Sequence, residues 1–93
     1  MSVCTGARVL AAAGLLEGRR ATTHASAIEE LRLRAPTARV EADARWTRDD
    51  PVWTSAGVTA GIDMALAAVA DLGGDGLARR VADHLEHPWA VDA

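Results

Sequence analysis

Apolar residues recur at i, i+3 and i+4 in four segments, and this spacing predicts four helices. The segments comprise residues 7–13, 24–34, 62–72 and 76–87. The third has the clearest pattern, and in the fourth Leu77, Val81 and Leu85 fall on one face. Ser26-x-x-Glu29 has the form of a capping box near the start of the second segment. A glycine or proline follows each helix, namely Gly14, Pro36, Gly73-Gly74 and Pro88.

Four short segments between these helices have the composition of β-strands: residues 20–23, 38–42, 44–48 and 52–55. Asp49-Asp50-Pro51 is typical of a turn, so the last two strands are predicted to form a hairpin. Trp46 and Trp53 flank this turn and are predicted to pack as a cross-strand pair that contributes about 0.5–1 kcal/mol. Because strands and helices alternate, we predict an α/β domain with helices covering a sheet. No linker or repeat divides residues 1–93, which are interpreted as one domain.

The composition limits how large a core this chain can build. It has 93 residues, and 21 of its apolar residues are alanines. A chain this short buries a modest share of its surface and usually needs well-packed helices, a covalent or metal link, or a partner. Its single cysteine excludes an internal disulfide, and no cluster of His and Cys suggests a structural zinc.

Charge and hydropathy exclude several classes of partner. The formal net charge is -3, whereas a nucleic-acid-binding segment needs a basic face. No apolar run approaches the length of a membrane span, and the N-terminus lacks the basic and apolar regions of a signal peptide. We therefore expect a cytoplasmic segment that binds neither nucleic acid nor a membrane.

Cys4 is the residue best suited to chemistry. A nucleophile elbow holds its reactive side chain on a tight turn between a strand and a helix, and needs small residues on either side. Ser2 and Gly6 meet that requirement, and the first predicted helix follows them. At a helix N-terminus the dipole and unpaired backbone N–H groups favour a thiolate, and the N–H of Thr5 would stabilise an oxyanion. On spacing alone, a buried and unreactive Cys4 is an equal alternative.

Three longer strings favour the reactive interpretation. They are Ser-Val-Cys-Thr-Gly-Ala at 2–7, Ala-Ala-Gly-Leu-Leu-Glu-Gly-Arg-Arg-Ala-Thr-Thr-His at 12–24 and Thr-Ser-Ala-Gly-Val-Thr-Ala-Gly-Ile-Asp at 54–63. In this order they resemble the ThiJ/PfpI superfamily of class I glutamine-amidotransferase-like domains. Within it, the chain is most similar to isocyanide hydratases and to the amidotransferase-like domain of AraC-type regulators. The resemblance extends from residue 2 to about residue 86.

The resemblance implies a fold and a set of site residues. The fold is the C-terminal half of a flavodoxin-like three-layer sandwich, with the nucleophile elbow at its N-terminus. Cys4 corresponds to the catalytic nucleophile, Thr5 to the residue after it, and His24 to a histidine near the pocket whose catalytic role varies within the family. Gly57 and Val58 correspond to a substrate-binding loop beside the nucleophile. No metal or other cofactor is implied.

The resemblance also implies that one catalytic group lies outside these residues. Domains of the family are longer than this chain and have their elbow near the middle, so the carboxylate that pairs with the nucleophile's proton comes before it. Asp63 corresponds to a helix-start acid, for which we expect a structural role. We therefore expect a partial domain that associates with a second copy or with a missing N-terminal half. Nothing recommends the other acids near the turns as substitutes, namely Glu41, Asp43, Asp49 and Asp50.

The histidines also have structural interpretations. A lone histidine between a strand and a helix, such as His24, is more often a cap than a base. His84 and His87 have i, i+3 spacing on the last predicted helix and could share a metal, but no third ligand is evident. We therefore favour the interaction of their charge with a helix C-terminus.

Two functions are compatible with these observations. The first is a cysteine-dependent hydratase or hydrolase of small electrophiles such as isocyanides, truncated here and possessing little activity alone. The alternative is a non-catalytic domain that senses a small molecule, as the resemblance to AraC-type regulators implies. In both cases the partner is a small-molecule substrate or ligand.

Overall fold

The structure, a computed structural model, describes residues 1–89 and divides into two compact units, Met1–Gly61 and a second that starts at Ile62. Residues 1–61 combine short helices with short strands, so the predicted α/β class is confirmed. Turns of 3-10 helix at Cys4–Gly6 and Ala25–Ala27 precede the two complete α-helices of this unit. Its elements are α1 (Ala7–Ala12), β1 (Arg20–Ala21), α2 (Ile28–Arg34), β2 (Arg39–Val40), β3 (Trp46–Asp49) and β4 (Val52–Ser55).

Parallel pairing joins β1 to β2, in the register Arg20–Arg39 and Ala21–Val40. Both strands are shorter than predicted from residues 20–23 and 38–42. The cause is visible at Thr22, whose N–H donates to the Thr54 hydroxyl at 2.8 Å instead of to a strand carbonyl. The Thr22 hydroxyl in turn donates to the carbonyl of Glu41 at 2.8 Å. Threonine side chains therefore replace part of the expected backbone ladder.

The core of the first unit lies where the two helices meet the strands. Leu16 and Leu31 supply most of its side-chain volume, and the remaining members are small. Alanine allows backbones to approach closely, which lets a short chain reach interior packing density with few large side chains. The buried cluster consists of Ala7, Leu16, Ala21, Leu31, Ala35 and Val52.

The end of α1 follows the prediction for Gly14. Gly14 has φ of 75°, a left-handed conformation that glycine takes at little cost. Its N–H donates to the carbonyl of Ala11, and the N–H of Leu15 donates to the carbonyl of Leu10, both at 3.0 Å. These two bonds form a Schellman motif, which satisfies carbonyls that the helix end leaves without partners.

The predicted hairpin is confirmed, with β3 and β4 antiparallel and Trp46 opposite Ser55. Trp53 therefore lies diagonally across from Trp46, and their rings stack at 5.7 Å between centroids with planes 9° apart. The guanidinium of Arg48 covers the Trp53 ring at 4.4 Å from its centroid. The aromatic pair predicted from the sequence thus packs within a cation–π stack on one face of the hairpin.

Asp50 ties the hairpin turn to this stack and should contribute to stability against acid. Its carboxylate accepts two bonds from Arg48 Nε, at 2.9 and 3.1 Å, and one from Trp53 Nε1 at 3.1 Å. The bond from Arg48, followed by that from Trp53, lowers the pKa of Asp50 below its ordinary value. A carboxyl whose pKa is lower in the folded chain stabilises the fold above its unfolded pKa, near 3.9, and loses that effect as pH falls through the folded pKa.

We therefore expect Asp50→Asn to reduce the loss of stability between pH 6 and acid. The measurement is the urea midpoint of unfolding at both pH values, for the wild type and the variant. Asp43→Asn is the control, because it removes one exposed carboxylate elsewhere in the same unit. Equal acid sensitivity of wild type and Asp50→Asn would show that the hydrogen bonds of Asp50 do not contribute.

Helix α3 (Val58–Gly73) begins in the first unit and continues into the second, which also contains α4 (Asp75–His84). The face of α4 that carries Leu77 and Leu85 is not the buried one, since these leucines are 39% and 57% exposed. Ala78 and Ala82 are buried in their place. Leucine is more hydrophobic than alanine, yet the residues on the buried face of α4 are small. No helix within residues 1–89 is long and apolar enough to cross a membrane.

The segment after α4 turns sharply at Glu86, which has φ of 56°. Because α4 ends at His84, the prediction that His84 and His87 share a helix is wrong. His87 Nε2 instead lies 2.8 Å from Asp63 Oδ1, with 17% and 9% of the two side chains exposed. This contact fits the structural role expected for Asp63. Within residues 1–89, no group of three or more His, Cys, Asp and Glu residues could hold a metal ion.

Candidate active site at Cys4

Cys4 lies on a sharp turn between an extended segment and a helix. Val3 is extended, with φ of −127° and ψ of 143°, and the 3-10 turn Cys4–Gly6 leads directly into α1. Cys4 itself has φ of 54°. A non-glycine residue in this left-handed region carries strain that the surrounding structure must offset, and such strain concentrates at functional sites. The strand–turn–helix geometry required of a nucleophile elbow is therefore present at Cys4.

The extended segment before Cys4 is held along β4. Ser2 bridges Thr54 in parallel, the Ser2 N–H donates to the Trp53 carbonyl, and the Ser55 N–H donates to the Ser2 carbonyl, both at 2.9 Å. The Cys4 N–H continues the series by donating to the carbonyl of Ala56 at 2.8 Å. These backbone bonds thus hold the segment that leads into the strained conformation of Cys4.

The bond to Ala56 also places the predicted substrate-binding loop beside the elbow. Gly57 and Val58 follow Ala56 directly, and Val58 is 69% exposed. The Gly57 carbonyl accepts the N–H of Gly61 at 2.9 Å, which starts α3. Cys4, Thr5, Gly57 and Val58 therefore belong to two neighbouring turns. Thr5 is exposed and lies in the first helical turn, where N–H groups have no intrahelical partner.

Gly61 is what lets α3 approach the elbow. A Cβ atom at Gly61 would lie 2.7 Å from Val3 Cγ1 and 3.3 Å from Ser55 Oγ. The first distance is shorter than van der Waals contact, and the β-branched valine has little rotamer freedom with which to yield. Any larger residue at Gly61 would therefore push on the residue that precedes Cys4.

We expect Gly61→Ala to lower the free energy of unfolding by about 1–2 kcal/mol, because overpacking exceeds the gain in helix propensity. Gly76→Ala in α4 is the matched control, since a Cβ there meets no atom within 4 Å. That variant should gain up to about 1 kcal/mol from propensity. Urea unfolding of both variants measures the difference, and a stabilised Gly61→Ala would contradict the close approach.

His24 reaches the elbow through its backbone, while its ring caps a turn. The His24 N–H lies 3.4 Å from the Cys4 carbonyl. Its Nδ1 accepts the N–H of Ser26 at 3.1 Å and lies 2.8 Å from the Ser26 hydroxyl. The capping box predicted at Ser26 and Glu29 is wrong for this reason: the helix α2 has no side-chain cap, and His24 caps the 3-10 turn before it. An Nδ1 that accepts from Ser26 leaves Nε2 to carry the proton of the neutral ring.

Three of the four acids near the turns, Glu41, Asp49 and Asp50, form contacts with residues other than Cys4. Glu41 forms a two-bond ion pair with Arg20, at 2.9 and 3.1 Å, and the hydrogen bond from Arg20 lowers its pKa. Asp49 accepts the backbone N–H of Arg20 at 2.9 Å. Together with Asp50 in the hairpin, these residues serve surface contacts. The sequence interpretation that none of them replaces the upstream carboxylate stays a prediction.

Sequence reasoning missed one residue that holds the elbow. The Thr23 hydroxyl donates to the Cys4 carbonyl at 2.8 Å, and Thr23 is 1% exposed. A buried hydroxyl bonded to the strained residue restrains the turn in addition to the bonds along β4. The signal was present in the Thr-Thr-His string, where two consecutive threonines follow β1 directly and both are buried.

Comparison with known proteins identifies relatives of this chain. The sequence profile of the DJ-1/PfpI family matches residues 1–71. The chain is 45% identical over 87 residues to an isonitrile hydratase from Pseudomonas putida, covering 92% of this chain and 36% of that protein. It is 44% identical over 79 residues to the HTH-type transcriptional regulator CdhR from Pseudomonas aeruginosa, covering 85% of this chain and 23% of the regulator.

A solved structure shares the fold as well. A ThiJ/PfpI family protein from Pseudomonas syringae superposes with a TM-score of 0.80 at 40% identity, covering 91% of this chain and 34% of that one. The chain therefore spans at most 36% of the length of these three proteins. The resemblance indicated by three strings of the sequence is confirmed at the level of the family.

Proposed function

The chain belongs to the DJ-1/PfpI family, and we propose that Cys4 is the nucleophile of a hydratase acting on small electrophiles of the isonitrile class. The observation that carries the proposal is the conformation of Cys4, with φ of 54° on a strand–turn–helix elbow. The similarity to an isonitrile hydratase over 87 residues supports the substrate class. Thr5, Gly57 and Val58 would line the site beside the nucleophile.

The proposed reaction adds one water to the isonitrile. The Cys4 thiolate attacks the terminal carbon, a C–S bond forms, and that carbon takes a proton, which gives a thioimidate. Water then adds to the same carbon and one of its protons goes to nitrogen. The C–S bond breaks as the hydroxyl proton is released, and this proton replaces the one that carbon took in the first step. The products are an N-substituted formamide and the regenerated thiolate, so protons and electrons balance. The N–H of Thr5 and the helix dipole would stabilise the negative charge of the attacking thiolate.

In this proposal His24 does not act as the general base. Its Nδ1 is occupied by Ser26, so the ring would contribute through Nε2–H as a hydrogen-bond donor near the site.

The proton-transferring carboxylate would come from a segment supplied by the rest of the domain or by a second copy of the chain. Such an assembly would also cover apolar side chains exposed in this unit, such as Leu33 at 83%. A free thiol nucleophile works in a reducing compartment, so we place the activity in the cytoplasm.

The test is hydration of an aryl isonitrile by the purified chain, followed as formation of the N-aryl formamide. We expect product with wild type and none above background with Cys4→Ser. Turnover that survives Cys4→Ser would refute the nucleophile. If the chain is inactive alone, addition of the N-terminal part of a full-length relative should restore Cys4-dependent product.

The second candidate function is a small-molecule sensor without turnover. It is favoured by the 44% identity to an HTH-type transcriptional regulator. In that case the elbow would bind an electrophile or another metabolite, and Cys4 would be protected from alkylation without formation of product. Protection with no formamide at high protein concentration would favour the sensor over the hydratase.

A further inference from the structure

A groove runs from the elbow along one face of α1. Its volume is about 490 Å³, and it is open to solvent. The lining residues of α1 and the turn before it follow the spacing of a single helical face, so the groove begins at Thr5, the residue after Cys4, and extends along α1. Arg34 closes it from α2. The lining consists of Thr5, Gly6, Arg8, Val9, Ala12 and Arg34.

The charges along this groove do not balance. Arg8 Nε lies 3.1 Å from Glu30 Oε1, and Arg34 Nε lies 2.8 Å from the same oxygen. Two guanidinium groups facing one carboxylate leave a net positive charge. Each guanidinium carries five N–H donors, and the contacts with Glu30 involve Nε of both. The groove therefore offers hydrogen-bond donors of suitable geometry for a carboxylate or phosphate.

The distance along α1 from the elbow to Arg8 matches the length of a small substrate. Arg8 follows Thr5 by one helical turn, a rise of about 5 Å, and Ala12 lies one further turn along. An electrophile whose reactive carbon is at Cys4 would lay its other end between the side chains of Arg8 and Arg34. Val9 and Ala12 provide apolar surface for the atoms between the two ends.

We propose that Arg8 and Arg34 make this site selective for electrophiles that carry an anionic group about one helical turn from the reactive carbon. The inference rests on the proposed role of Cys4 and adds the class of substrate. Glu30 has the opposite effect, because its carboxylate offsets part of the positive charge. The three residues set the charge preference of the groove, and they take no part in bond making.

The test uses two alkylating probes that differ only in charge. Iodoacetylglycine carries a carboxylate about 5 Å from the carbon that reacts with the thiol, and its amide is neutral. The rate of Cys4 alkylation by each probe is measured by mass spectrometry on the native chain, and the ratio of the two rates reports charge selectivity. A unit charge about 6 Å away in water changes this ratio about threefold.

We expect the ratio of anionic to neutral rates to fall about threefold in Arg8→Gln and in Arg34→Gln, and further in the double variant. In Glu30→Gln the ratio should rise. Arg80→Gln in α4 is the charge-matched control and should leave the ratio unchanged. These side chains are each at least 40% exposed, so the ion pairs contribute little to stability and the variants should fold.

The rate ratio is expected to fall in Arg8→Gln and to rise in Glu30→Gln, and these opposite changes distinguish charge selectivity from a structural effect. Arg8→Gln and Glu30→Gln break the same ion pair, so a purely structural role would move the ratio in the same direction in both. Either that result or an unchanged ratio in the double arginine variant would overturn the inference. The proposed nucleophile is tested separately by the neutral probe. If the neutral probe reacts with native Cys4 no faster than with the unfolded chain, the proposal that Cys4 is a nucleophile is refuted. The ratio of the two rates still reports the charge at the groove in that case.

Discussion

Cys4→Gly is expected to abolish isonitrile hydration while leaving the chain better folded than Cys4→Ala. Both variants lack the thiol, so turnover should fall at least about a thousandfold, as it does when a catalytic nucleophile is removed. Their stabilities should differ because Cys4 has φ of 54°. Alanine keeps the left-handed strain of that position, whereas glycine relieves it, a difference of about 1 kcal/mol in favour of glycine.

The measurement combines formamide formation with urea unfolding of the wild type and both variants. The expected result is two inactive variants, of which Cys4→Gly is the more stable. At an ordinary position alanine is the more stable of the two, because glycine loses more conformational freedom on folding. If Cys4→Ala proved more stable than Cys4→Gly, the result would contradict a strained backbone at the elbow. Isonitrile hydration by either variant would contradict the role of Cys4 as the nucleophile.

Thr54→Val is expected to give the largest loss of stability among single substitutions near the site. Thr54 is fully buried, at 0% exposure. Its hydroxyl accepts the N–H of Thr22 at 2.8 Å and lies 2.7 Å from the hydroxyl of Thr47. Valine has nearly the same shape but leaves both partners buried without a hydrogen bond, which costs about 1–3 kcal/mol for each. We expect a total loss of about 2–4 kcal/mol.

Thr54→Ser is the matched control for this prediction, because it keeps the hydroxyl and loses only a methyl group. It should lose no more than about 1.5 kcal/mol. Urea unfolding ranks the variants, and equal losses for valine and serine would show that the hydroxyl network does not contribute. Since Ser2 bridges Thr54, alkylation of Cys4 in Thr54→Val should also approach the rate in the unfolded chain as the elbow loses its support.

Local signals in the sequence predicted much of this structure. Gly14 marks the end of α1 because only a left-handed residue completes its Schellman motif. The Asp49-Asp50-Pro51 turn and its flanking tryptophans predict the hairpin, and β4 occupies residues 52–55 as expected. At Cys4, small neighbours followed by a helical pattern predicted the elbow geometry. These features depend on a few consecutive residues, so their sequence determines them.

Features that depend on distant residues were not predictable from the pattern. The hydroxyl of Thr54 replaces a strand carbonyl for Thr22, although 32 positions separate the two residues. The exposed leucines of α4 show the same limit, because the choice between Leu77 and Ala78 depends on how closely another element approaches. At the site, the hydrogen bond from the Thr23 hydroxyl to the Cys4 carbonyl likewise joins residues 19 positions apart.

Everything proposed for the site depends on Cys4 being a reactive nucleophile held on an assembled elbow. The most direct test is the rate of Cys4 alkylation by iodoacetamide at neutral pH, in the native chain and in the same chain unfolded by urea. We predict a native rate at least about tenfold above the unfolded rate, because the elbow presents the thiol in the electropositive environment of a helix N-terminus, where reactive cysteines are found. A native rate equal to or below the unfolded rate would contradict it and would leave Cys4 as an unreactive part of the fold.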